Sequence, residues 1–308
     1  MDLSVNDVTF ARMENNLKNL NEQGKFVIKL ICQNIKFGYS KKDVDLNYRD
    51  VRLNDYQKEA INQSLYTKNF FLIHGPFGTG KTDTLVELIY QEVKKGNKVL
   101  AAAESNIAVD NIVERLAKVS SLDITRLGHP QKVSKDIKSQ TIVCKLEKHE
   151  LYSKIERINK DVDRLSKELN EIKFKSKSKS RKPFLIKEIR RNKRIIRNTE
   201  KIIMEDIINE SQVILTTNSS AARDELSDIE FDVAIIDEAS QTTIPSILIP
   251  IAKAKRFILA GDHKQLPPVI SSDAAKELEE TLFKKFIEKY PSKKQLLNVQ
   301  YRMNEKLM

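Results

Sequence analysis

A chain of 308 residues, 40% hydrophobic and 31% charged, can bury the core of one large domain or of a domain carrying an insertion. Its two cysteines, Cys32 and Cys144, stand in no metal-ligand spacing and argue against a cysteine zinc site or a disulfide framework. No run of 18 apolar residues and no signal-like start appears, so an intracellular protein of the cytoplasm or nucleus is expected, with no membrane span. The net charge of +11 calls for an acidic partner, of which nucleic acid is the commonest, or for a solvated lysine-rich surface.

In chain order, the first strong element is the apolar run Phe70-Phe71-Leu72-Ile73-His74, read as a buried strand. Directly after it, Gly75-Pro76-Phe77-Gly78-Thr79-Gly80-Lys81-Thr82 fits the phosphate-loop pattern G-x-x-x-x-G-K-[ST], and an amphipathic helix is expected over 82–95. The glycines let backbone N–H groups turn inward onto phosphate oxygens, and the helix N-terminus adds partial positive charge. Lys81 is expected to reach the β- and γ-phosphates, and Thr82 to offer its hydroxyl to Mg²⁺. ATP and Mg²⁺ are therefore the expected cofactors.

A strand over 98–103, a helix over 107–117 and a strand over 124–127 follow. The pattern then changes. Leu151, Ile155, Ile158, Val162, Leu165, Leu169 and Ile172 form a heptad seam. A Lys/Ser-rich break over 173–183 ends in a proline, and a weaker seam resumes with Ile186, Ile189, Ile196, Ile203 and Ile207. Two helical arms joined by a polar turn predict an antiparallel hairpin, and about 25 residues per arm give roughly 35–40 Å. Residues 173–201 hold thirteen basic and two acidic side chains, a balance equal to the net charge of the whole chain. The basic tip suits contact with a phosphate backbone. A solvated tip, and a nuclear-localisation role for 175–182, stay open.

Past the hairpin, strands are expected over 213–217, 233–237, 256–260 and 296–300. Continuous apolar strands alternating with helices predict an α/β fold, a parallel sheet covered on both faces, with ligands at the carboxyl ends of the strands. Asp237 and Glu238 close one such strand. The Asp is placed to hold Mg²⁺ and the Glu to polarise an attacking water. Two acids alone would more often cap the next helix, but paired with the phosphate loop they point to ATP hydrolysis.

Three further segments carry a family resemblance. They are Ser105-Asn106-Ile107-Ala108-Val109-Asp110-Asn111, Gly261-Asp262-His263-Lys264-Gln265-Leu266-Pro267-Pro268 and Gln300-Tyr301-Arg302-Met303. With Asn6-Asp7-Val8-Thr9 and Arg126-Leu127-Gly128-His129-Pro130, the chain resembles superfamily 1 helicases of the nonsense-mediated-decay group. Within that group it is most similar to the immunoglobulin mu-binding protein 2 helicases. The resemblance is strong over 53–130 and 213–308 and weak in the hairpin.

The resemblance implies a RecA-like P-loop NTPase domain and a motor on single-stranded DNA or RNA, moving 5′ to 3′. It divides the chain into a helical stalk remnant (1–50), a first RecA-like part (51–144), the inserted basic hairpin (145–212) and a second RecA-like part (213–308). It implies that Gln57 reads the adenine, Gln265 senses the γ-phosphate, Tyr301 stacks on adenine or ribose and Arg302 stabilises transition-state charge. Ser105, Asn106, Thr217 and Asn218 would line the nucleic-acid track. Phe77 and Glu104 stand where the family usually has proline. A carboxylate at 104 would repel a phosphate backbone or turn away from it. A second RecA-like domain, needed for a full motor, is expected to be missing after Met308. A non-catalytic nucleic-acid-binding fragment, whose nucleotide site only tunes affinity, is the alternative.

Overall fold

The computed structural model describes residues 3–37, 46–119, 121–128, 135–174, 181–270 and 272–301. Its centre is one seven-stranded sheet. In chain order the strands are β1 (Phe70–His74), β2 (Val99–Ala103), β3 (Ile124–Arg126), β4 (Val213–Thr217), β5 (Phe231–Asp237), β6 (Ala254–Gly261) and β7 (Lys294–Leu296). Their spatial order is β3-β4-β2-β5-β6-β1-β7 and every pairing is parallel. The expected α/β architecture is therefore present.

Alternation along each strand explains why both faces are covered. Phe70 and Leu72 of β1, Leu100 and Ala102 of β2, and Phe257 and Leu259 of β6 enter one buried cluster. Their neighbours Phe71, Ile73, Ala101, Ala103, Ile258 and Ala260 enter another. The helices α3 (Asp55–Tyr66), α4 (Lys81–Lys94) and α5 (Asn106–Leu116) complete the second cluster through Ile61, Leu85, Leu88 and Ile112. The first is closed by α2 (Glu22–Cys32), α9 (Ile244–Ile251) and α10 (Leu282–Lys289), through Val27, Leu30, Ile247 and Phe286. The N-terminal α1 (Leu3–Lys18) lies against this side, where Arg12 donates to the Ser219 carbonyl at 3.3 Å.

Between β3 and β4 run α6 (Ile142–Lys148), α7 (Tyr152–Phe174) and α8 (Lys182–Glu210). Ile155 and Val162 of α7 pack with Ile196, Ile203 and Ile207 of α8, with Ile142 and Leu146 of α6 beside them. The seams expected on α7 and α8 thus face each other over their inner halves. Leu185 rather than Ile186 is the buried residue near the start of α8. Because Ile142 and Leu146 share one cluster, a division at residue 144 cuts through α6. The tip, 175–180, lies outside the described residues.

One strand is misplaced in the sequence reading. The strand expected over 296–300 is Lys294–Leu296. Leu297 N–H still donates to the His74 carbonyl (2.8 Å), but β1 ends at His74 and becomes the phosphate loop. Beyond that point no ladder partner exists. The chain crosses the loop instead, and Tyr301 N–H donates to the Gly78 carbonyl at 2.9 Å.

Candidate nucleotide site

A cavity of about 760 Å³ opens at the carboxyl ends of β1 and β5. The phosphate loop forms one wall. Its shape needs glycine where it bends: Gly78 has φ 82° and Gly80 has φ 73°. Gly80 is the N-cap of α4, and its left-handed backbone aims the first turn of that helix at the cavity. Inside the loop, the Thr79 hydroxyl donates to the Pro76 carbonyl (2.8 Å), and Gly75 N–H donates to the Gly261 carbonyl (3.0 Å). Lys81 Nζ lies over the loop, 3.4 Å from the Gly75 carbonyl oxygen. Pro76, Phe77, Gly78, Gly80, Lys81 and Thr82 all line the cavity, whereas Gly75 and Thr79 lie behind as its support.

Gln57 braces this loop from below. It is 3% exposed, and its carbonyl accepts from Asn54 N–H (2.9 Å) while its amide donates to the Thr79 carbonyl (3.2 Å). A base reader must therefore use its remaining lone pair and proton, or leave these bonds. A Cβ at Gly80 would come within 2.5 Å of Gln57 Nε2 in a backbone region that side chains avoid. We expect Gly80→Ala to cost about 1–3 kcal/mol in urea denaturation. It should also weaken Mg-nucleotide binding; if stability and binding both match the parent, this account of the loop is wrong.

Opposite the loop, β5 delivers Asp237 and Glu238 to the same cavity. Asp237 is buried, and Oδ1 accepts from Glu238 N–H at 2.8 Å. Burial pushes the Asp237 carboxyl above its usual range, against the pull of Lys81. Glu238 is raised too, first by burial and then by the Asp237 charge, while Ser105 Oγ, donating at 3.3 Å, and Lys81 oppose the rise. Glu238 is the one non-glycine residue with positive φ (54°) among the described residues. Such strain marks a side chain aimed by its surroundings rather than by its own preference. Two crowded carboxylates beside the Thr82 hydroxyl offer hard oxygen donors and unbalanced charge, a set that suits Mg²⁺.

Gln265 and Tyr301 also line the cavity. Gln265 Nε2 donates to Asp262 Oδ2 (3.2 Å), and its carbonyl accepts from Gln241 at 3.4 Å. The Tyr301 hydroxyl accepts from Asn54 Nδ2 at 2.7 Å, leaving the ring 59% exposed at the rim. Arg302 lies outside the described residues. Two cationic side chains on the wall carried no signal in the sequence. Arg52 pairs with Asp50 at 2.8 Å and holds that carboxyl down to about 2, and Arg115 pairs with Asp83. No motif covers either pair.

The four residues read as a nucleic-acid track lie at or just past the carboxyl ends of the paired strands β2 and β4, with unequal exposure. Ser105 is exposed and caps α5, accepting from Ala108 N–H at 3.1 Å. Asn106 Oδ1 accepts from Arg126 at 2.8 Å, and the Thr217 hydroxyl accepts from Ser220 N–H at 3.3 Å. Asn218 is fully buried. The departure at residue 104 meets it there. Glu104 Oε2 accepts from Asn218 Nδ2 (3.0 Å) and from the Ser246 hydroxyl (2.8 Å), so the carboxylate turns onto these donors.

Comparison with known proteins bears on the same residues. A family model described as an AAA domain matches residues 52–273. An uncharacterized ATP-dependent helicase of Methanocaldococcus jannaschii is 38% identical over the whole of this chain and 51% of its own length. The DNA-binding protein SMUBP-2 of Rattus norvegicus is 34% identical over 98% of this chain and 31% of its own length. The DNA polymerase alpha-associated DNA helicase A of Schizosaccharomyces pombe is 33% identical over 98% of this chain and 46% of its own length. The chain thus spans about half or less of these relatives.

Proposed function

Since the chain belongs to the AAA-domain family of superfamily 1 helicases, we propose that it is a motor domain that couples ATP hydrolysis to movement on single-stranded DNA or RNA. The observation that carries this reading is the placing of Lys81 and the Asp237–Glu238 pair on facing walls of one cavity. ATP, when bound, supplies the phosphoanhydride bond, and Mg²⁺ offsets charge on its oxygens.

Thr82 and Asp237 would hold the cation, and Lys81 with the inward N–H groups of the loop would hold the β- and γ-phosphates. Glu238 takes the proton of the attacking water as oxygen bonds to the γ-phosphorus, and ADP leaves with the electrons of the broken bond. Gln265 is placed to register the change at the γ-position. Tyr301, with Phe77 at 58% exposure, would meet the base or ribose. The family resemblance adds the Arg302 guanidinium, 5′ to 3′ movement, and a second RecA-like domain across the open side of the cavity. The exposed Leu266 and Val269, at 84% and 93%, suit such a neighbour. Ser105, just past the carboxyl end of β2, and the basic residues of the hairpin are the proposed contacts to nucleic acid.

The test is the ATPase rate of the purified chain with and without single-stranded oligonucleotide. Stimulation supports the motor. Binding of the oligonucleotide without turnover reduces the protein to a nucleic-acid binder, and the absence of both binding and turnover overturns the reading.

A further inference from the structure

Parallel pairing of β1 with β6 sets His74 opposite Gly261, so the residues that follow Gly261 meet the end of β1. Asp262 Oδ1 lies 3.2 Å from His74 Nε2. The imidazoles of His74 and His263 sit with centres 4.7 Å apart at 57°. One donor atom from each of His74, Asp262 and His263 falls within 4.8 Å of the others. His263 Nδ1 is buried and has no hydrogen-bond partner. We propose that these three side chains form a binding site for a borderline transition cation, Zn²⁺ foremost, distinct from the Mg²⁺ position at Thr82 and Asp237.

The geometry fits one shared ion. A cation about 2.0–2.1 Å from a ring nitrogen lies roughly 3 Å from the ring centre, so two rings on one ion have centres about 4.5–5 Å apart. The Asp262–His74 spacing already matches neighbouring ligands. The remaining closure falls to His263, the half-buried member. The carboxylate is oriented in advance by a second layer of bonds: Lys264 N–H donates to Oδ1 (3.1 Å) and Gln265 Nε2 to Oδ2 (3.2 Å). Two imidazoles and one carboxylate with an open fourth position is a zinc donor set. A cavity of about 380 Å³ lined by His263, Gln265 and Thr281 adjoins the cluster on its His263 side. Mg²⁺ prefers six oxygens and does not compete for nitrogen.

The position gives the ion a consequence. Asp262 also anchors Gln265, which lines the nucleotide cavity, and His74 directly precedes the phosphate loop. A cation here ties the end of β6 to the base of that loop. The site escaped sequence reading because its ligands lie 188 residues apart and use no cysteine.

Cobalt tests the site, since Co²⁺ reports imidazole and carboxylate ligation by its visible absorption. The full chain in millimolar Mg²⁺ should bind one Co²⁺, displaced by Zn²⁺, with a thermal midpoint raised by several degrees. His263→Ala, at the half-buried position, should weaken binding at least about tenfold. His74→Gln should do the same, and His149→Gln, away from the cluster, should leave it unchanged. Absence of a cobalt signal at 0.1 mM, or an unchanged signal in both His263→Ala and His74→Gln, overturns the proposal.

Discussion

Replacing Glu238 with glutamine should lower ATP turnover by about 10²–10⁴-fold while Mg-nucleotide binding survives. Glutamine keeps the shape, and its carbonyl still accepts from Ser105 Oγ, which now meets Glu238 Oε2 at 3.3 Å. What is lost is the proton acceptor. Removing one negative charge beside Asp237 also takes away the repulsion that adds to burial in raising the Glu238 carboxyl, so affinity for the triphosphate should hold or improve. Steady-state hydrolysis and fluorescent-nucleotide titration read the two effects separately. Turnover within tenfold of the parent would remove Glu238 from the role of base.

The same residue fixes the sign of the pH dependence. Glu238 works only when deprotonated, and burial and Asp237 push its carboxyl upward. Activity is therefore present above that raised value and is lost as pH falls through it. The acid limb of the kcat/KM profile should lie above the ordinary Glu range near 4.3. Stability runs the other way. A carboxyl that holds its proton more tightly when folded makes the fold gain stability as pH falls from the folded toward the unfolded value. Asp237 and Glu238 thus cost the nucleotide-free fold stability at neutral pH, as expected of side chains kept for chemistry.

How far the sequence reaches can be judged from individual residues. The phosphate loop and the Asp237–Glu238 pair were legible because each is contiguous and follows an apolar strand, and both line one cavity. The hairpin seams were legible because heptad spacing is local. Long-range partners left no trace. Gln57 looks in sequence like any helical glutamine, yet its amide donates to the Thr79 carbonyl, 22 residues on. The Asn218 amide likewise donates to Glu104, 114 residues before it, a contact that no local pattern announces. β7 was misplaced because its end is set by where β1 stops, not by its own residues.

Asp110→Ala should be the most damaging substitution away from the cavity. Arg126 is the largest fully buried side chain among the described residues, and three groups hold its guanidinium. Nε donates to Asp110 Oδ1 (2.9 Å), Nη2 to Asn106 Oδ1 (2.8 Å) and Nη1 to the Leu127 carbonyl. Burial already draws its pKa down, with Asp110 as the opposing influence. Without Asp110 a buried cation loses its only carboxylate among the described residues, a change that costs about 3–5 kcal/mol. At roughly 2–4 °C per kcal/mol, the thermal midpoint should fall by about 10 °C. Glu14→Ala, which breaks the exposed Lys18–Glu14 pair, should leave the thermal midpoint unchanged. Adding Arg126→Met to Asp110→Ala removes the stranded charge and should recover part of the loss. A midpoint for Asp110→Ala within 2 °C of the parent would show that the three acceptors are not what holds Arg126 in the core. It would also release Asn106 and the start of α5 from dependence on that network.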